Sequence, residues 1–163
     1  MASTTLPPGH RAAFVAVAST LTGFDTTDLE ATGLVDQYAA LVLTILDASG
    51  NGDQYVNVIA SLAATPSPAK AFPNALADSF AGPLLQNIVS LWYLGQWLRL
   101  PSSWYVNGVQ PAIDTNTIPS PFAYGQAFAW RIAGAHPPGS RPTGYGGWGQ
   151  PPAFTLATDG VAP

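Results

Sequence analysis

The sequence predicts an all-α fold, an irregular bundle of about five helices over residues 1–134 followed by a Pro/Gly-rich C-terminal tail over 135–163. Two observations carry this prediction. Apolar residues recur at i, i+3, i+4 and i+7 in several segments, and each segment is closed by Gly or Pro. No stretch alternates long enough for a sheet, and no repeat of fixed period is visible.

A first helix is expected from about Pro8 to Leu21, with Phe14, Val17 and Leu21 on one face and Gly23 at its end. Thr27-Asp-Leu-Glu30 matches a capping box. It opens a second helix with the apolar stripe Leu34, Tyr38, Leu41, Val42, Ile45 and Leu46, broken by Asp47 to Gly52. A third runs from about Asp53 to Ala64, with Tyr55, Val56, Ile59 and Leu62 inward, until Pro66 and Pro68 form a linker. After two helical turns around Leu76 and Phe80, Gly82-Pro83 opens a longer helix that carries Leu84, Ile88, Leu91, Trp92 and Trp97 to about Leu98. Pro101 stops it. A loop from Ser102 to Ile118 follows, then a final helix from Pro121 to about Ala133, capped by Ser120 and closed by Gly134.

Composition narrows the function classes. Hydrophobic residues make up 47% and charged residues 9%, against ~25% charged in an ordinary soluble domain. A surface so poor in charge points to a covering partner. The scattered cations Arg11, Lys70, Arg99, Arg131 and Arg141, under a net charge of -4, oppose nucleic-acid binding. Without cysteine the chain has no disulfide, thiolate cluster or covalent haem attachment. Residues 1–10 lack a basic n-region, twin arginine and apolar h-region, so no export signal is visible. Leu84 to Leu100 is too often interrupted by polar residues to span a bilayer.

Catalytic and metal patterns are weak. Asp47 to Asp53 resembles the start of an EF-hand loop, but Val58 stands where a bidentate glutamate is needed, so a plain interhelical turn is the expectation. His10 and His136 lie far apart with no ligand at metal spacing. Glu30 is the only glutamate, and the aspartates are scattered. Gly144 to Gly149 neither follows a strand nor opens a helix, as a nucleotide fingerprint would. Tyr93, Asp78 and Arg131 are the only group that can be nominated for catalysis, with no nucleophile–base pair behind them.

Aromatic residues concentrate in the C-terminal half, where all the tryptophans lie between Trp92 and Trp148. Leu91-Trp92-Tyr93-Leu94-Gly95 and Trp97 place rings around a helix, either leaving a stripe free for a partner or filling a helix buried all round. Tyr124, Phe128, Trp130 and Arg131 crowd the last helix, with core packing the simpler role for Phe128. The tail from Pro142 to Pro152 carries Tyr145 and Trp148, rings costly to leave in water, and is expected to dock on the bundle or a partner.

Four pieces in this order, Phe14 to Gly23, Leu91 to Gly95, Tyr124 to Arg131, and Pro142-Thr-Gly-Tyr145 through Trp148 to Pro151, resemble the small-subunit family of membrane-associated FAD-dependent sorbitol, fructose and glucose dehydrogenases. The resemblance implies an accessory subunit with no cofactor of its own. Its partners would be an FAD-containing glucose–methanol–choline-type catalytic subunit and, in many complexes, a multihaem cytochrome c subunit. It also implies a periplasmic place at the inner membrane, reached by a twin-arginine signal that this sequence does not show, and a tail cysteine of many relatives is missing here. The residues expected to contact the partner are Trp92, Tyr93, Trp97, Tyr124, Trp130, Arg131, Tyr145 and Trp148. The alternative is a stand-alone helical protein that binds a small apolar ligand in an aromatic pocket.

Overall fold

The computed structural model describes residues 6–105, 108–135 and 137, and over these the chain is all-α. The tail expectation, with Tyr145 and Trp148, lies outside the described residues, as does His136. The helices are α1 (His10–Thr22), α2 (Thr26–Ala31), α3 (Val35–Ala48), α4 (Gly52–Ala63), α5 (Pro68–Ala77), α6 (Ala81–Leu94), α7 (Pro121–Gln126) and α8 (Phe128–Ile132), with one 3-10 turn at Ser102–Trp104. Helix α1 packs against α4, α6, α3 and α2, while α3 packs on α4, and α6 also receives α5 and α8.

The α3 periodicity becomes burial directly: Val35, Tyr38, Ala39, Val42, Leu43, Ile45 and Leu46 all point inward. They meet Phe14 and Val17 of α1, Tyr55 and Ile59 of α4, and Leu84, Ile88, Leu91 and Trp92 of α6 in one core. Removing each such side chain from water stabilises the fold by about 1.5–3 kcal/mol before chain entropy is counted. Tyr38 and Trp92 meet edge to face at 5.0 Å, a geometry favoured by the ring quadrupoles.

Four boundaries differ from the sequence expectation. The expected helix from Thr27 to Leu46 is two. Asp25, not Thr27, caps α2 by accepting from the Asp28 N–H at 2.9 Å. Glu30 leaves the capping box to pair with Arg11 at 2.7 Å, and the Arg11 guanidinium holds its carboxyl below the usual range. Thr32 then donates its hydroxyl to the Leu29 carbonyl, and Gly33 adopts a left-handed φ of +69°, which stops α2.

Likewise α6 ends at Leu94 and not Leu98, because Gly95 turns left-handed at φ +66°. A Cβ there would lie 2.7 Å from the Ala123 carbonyl oxygen, so only glycine lets the two segments approach. Trp97 therefore sits on an isolated antiparallel bridge with Thr117 and not on the helix. The final helix breaks at Ala127, whose ψ of 131° separates α7 from α8. Ser120 does cap α7, accepting from the Ala123 N–H at 3.1 Å. The linker expected after Pro66 contains α5, started by Pro68 and tolerating Pro73 on its exposed side.

Candidate ligand and partner surfaces

Between α6 and α7 the chain is organised by a residue that no sequence pattern singled out. Asp114 is fully buried and accepts from the Trp97 indole N–H at 2.8 Å, the Leu100 N–H at 3.1 Å and the Tyr105 hydroxyl at 2.9 Å. A buried carboxylate is tolerated only with such a ring of donors. Burial, followed by the Asp114 hydrogen bond, pushes the Tyr105 phenol up. Asn51 ties this loop to the α3–α4 turn by donating to the Trp104 carbonyl at 2.7 Å. The EF-hand-like stretch is accordingly a structural turn, with its Asn51 amide turned to a carbonyl. Among the described residues no group of three or more His, Asp or Glu is placed to hold a metal ion.

The rings expected to meet a partner divide by position. Trp92 and Trp97 are buried in the core, at 1% and 0% exposure, so they support the surface without forming it. Tyr93 is half-buried and donates its hydroxyl to the Thr22 carbonyl at 2.7 Å. Tyr124 and Trp130 are half-buried and meet edge to face at 5.4 Å, with the Trp130 indole donating to the Tyr124 carbonyl. Exposed Arg131 lies over the rings of Phe24 and Phe128 at 5.3 and 5.4 Å and reaches Asp28 at 2.9 Å. Tyr93, Phe128, Phe24 and Arg131 thus form one cluster where α8 meets α6. Asp78 is engaged elsewhere, accepting from the Phe80 and Ala81 N–H groups at 2.8 and 2.7 Å. The nominated catalytic trio is therefore spread over three separate hydrogen-bonding arrangements.

Beside the Tyr93 cluster, α6 presents an apolar groove of about 450 Å³ lined by Leu21, Leu76, Val89, Tyr93, Leu94 and Leu98, together with Gln86 and Ser90. Leu76, Leu94 and Leu98 are 40%, 53% and 43% exposed. Ser90, buried in the groove's floor, has a hydroxyl with no partner among the described residues. Leu94 belongs to the Leu-Trp-Tyr-Leu-Gly run, but the groove-forming leucines are not the residues nominated from sequence. Their signal was present in the spacing of Val89, Tyr93 and Leu94, whose outward direction depends on where Trp92 points.

No family model, curated protein or solved structure matches the chain. Function therefore has to be argued from these surfaces. Two other features stand out. Two open hollows of about 640 and 390 Å³ meet at Phe80, the larger lined by apolar Val58, Leu62, Ala75 and Ala81 beside exposed Asn57 and Asp78. At the far end of α1, His10 is 3% exposed and its Nε2 lies 3.0 Å from the Tyr55 hydroxyl, edge to face with that ring. Burial pushes the His10 pKa down and the Tyr55 phenol up, so both sit neutral.

Proposed function

We propose that the chain is a non-catalytic accessory subunit that holds and stabilises the flavin-containing catalytic subunit of an FAD-dependent sugar or polyol dehydrogenase complex. The α6 groove is the observation that supports this reading. Its three exposed leucines, together in a charge-poor chain, form a surface whose removal from water by a partner is favourable. Half-buried Tyr93 and exposed Arg131 continue that surface with the residue types that dominate interface energetics. In this reading a multihaem cytochrome c subunit is a further component, the complex sits at the periplasmic side of the inner membrane, and the subunit helps export its partner. No helix among the described residues is long and apolar enough to cross a membrane.

The test is co-expression with the neighbouring open reading frames, purification through a tag on this chain, and a visible spectrum of the eluate. A large flavin-yellow partner supports the accessory role. Recovery of the chain alone, folded and monodisperse beside an expressed oxidoreductase neighbour, contradicts it. Removing residues after Gly139, or Trp148→Ala, weakens the complex by a few kcal/mol if the tail is an anchor; unchanged complex yield removes the tail from the interface.

A further inference from the structure

Asn51-Gly52 is one of two Asn-Gly pairs in the sequence, the other being Asn107-Gly108. Such a pair is open to a spontaneous reaction, because glycine has no side chain to shield its backbone nitrogen from the preceding amide. The turn between α3 and α4 favours glycine here: a Cβ at Gly52 would strike the Asp47 carboxylate and lie 3.3 Å from the Asp47 Cα. Gly52 is also the first residue of α4, so the helix does not use its N–H, which has no partner among the described residues. The attacking group is thus unengaged, and the restraint lies on the other reactant. The Asn51 amide donates to the Ser49 hydroxyl at 3.0 Å and to the Trp104 carbonyl at 2.7 Å. Its ψ of 13° sets the Gly52 nitrogen beside Asn51's own nitrogen, turned away from the side chain. Attack therefore needs the turn to open first.

We propose that Asn51 is a deamidation site, reached through transient opening of the α3–α4 turn, and that its conversion unties the Ser102–Trp104 turn from the helices. In the first step the Gly52 nitrogen bonds to Asn51 Cγ and loses its proton, the Cγ–Nδ2 bond breaks, and ammonia leaves with that proton. Water then opens the five-membered imide at one of its two carbonyls, giving aspartate or isoaspartate. Either product replaces an amide donor with an ionised carboxylate, which only accepts. Held where the amide was, 2.7 Å from the Trp104 carbonyl, it would set two acceptors against each other. The first N–H groups of α4 offer the new charge better partners and draw it away from the loop. The effect extends along that loop, since Trp104 stacks on Phe80 at 4.0 Å and its neighbour Tyr105 donates to Asp114 at 2.9 Å. The proposal stands without the accessory-subunit reading.

The experiment incubates the full chain in mildly alkaline buffer at physiological temperature, either folded or in urea, and follows each Asn-Gly peptide by mass spectrometry. In urea the two pairs are expected to convert at similar rates, because local chemistry alone then decides. In the folded chain Asn51 is expected to convert about tenfold more slowly than in urea, the factor reflecting the small population of the open turn. The converted chain, separated by its extra negative charge, is expected to show a shifted Trp104 indole signal in a nitrogen–proton correlation spectrum, assigned by its loss in Trp104→Phe. Asn51→Asp is expected to reproduce that shift without incubation. Equal Asn51 rates in the folded chain and in urea overturn the proposal, as does an Asn51 that never converts in the folded chain. A converted chain whose Trp104 signal has not moved overturns it too, and that readout does not depend on any variant folding.

Discussion

The two faces of α6 do different work with similar residues. Its inner face, Leu84, Leu85, Ile88, Leu91 and Trp92, is almost wholly buried against α1 and the rest of the core, whereas Leu94 on the outer side is 53% exposed. An apolar side chain in the core is already credited to folding. One left in water at the groove is unsatisfied until something covers it. The comparison teaches that stability and recognition can be changed separately in this helix, and that the Leu-Trp-Tyr-Leu-Gly run straddles the two.

The largest expected effect is on the inner face. Trp92→Ala should destabilise the chain by about 3–5 kcal/mol through lost packing and the remaining cavity, read as a lower denaturation midpoint. A loss below about 1 kcal/mol would show that Trp92 is not core. Next comes the loop that follows α6. Asp114→Ala leaves the Trp97, Leu100 and Tyr105 donors without their acceptor, and should cost roughly 2–4 kcal/mol with a shift in tryptophan emission. Wild-type stability and emission would mean that the donors find other acceptors.

A smaller effect is set by pH at the other end of the core. His10 has a folded-state pKa pushed below the ordinary 6.5 by burial, so between those two values the unfolded chain binds the proton that the folded chain refuses. Stability therefore rises with pH through this window and is lost as pH falls from about 6.5 toward the folded pKa. His10→Gln should flatten that part of the stability–pH curve while the carboxylate-dependent loss at lower pH remains. An unchanged slope would assign the effect to another group.

How much of this was legible in the sequence follows from the same contrast. The α3 stripe from Tyr38 to Leu46 and the Ser120 cap were readable because period and cap chemistry are local. The stop at Gly95 was not, since it depends on what the chain meets there: Gly95 is fixed by the Ala123 backbone, a contact across many residues. Trp92 and Trp97 were legible as important aromatics, but not as core ones, because one ring serves a core or an interface equally well until its neighbours are known. Asp114 was invisible for a related reason. An isolated acid in a loop shows no pattern, and its role appears only when Trp97 and Tyr105 converge on it.

On the outer face, Leu94→Asp with Leu98→Asp gives the smallest expected effect on folding and the most direct test of the separation. Both side chains are largely in water already, so the denaturation midpoint should correspond to a change within about 0.5 kcal/mol. The decisive measurement is the yield of flavin-containing partner recovered on this double variant, compared with wild type at equal amounts of folded chain. The account predicts a folded chain that has lost its partner; full recovery of the partner on an equally stable double variant would contradict it.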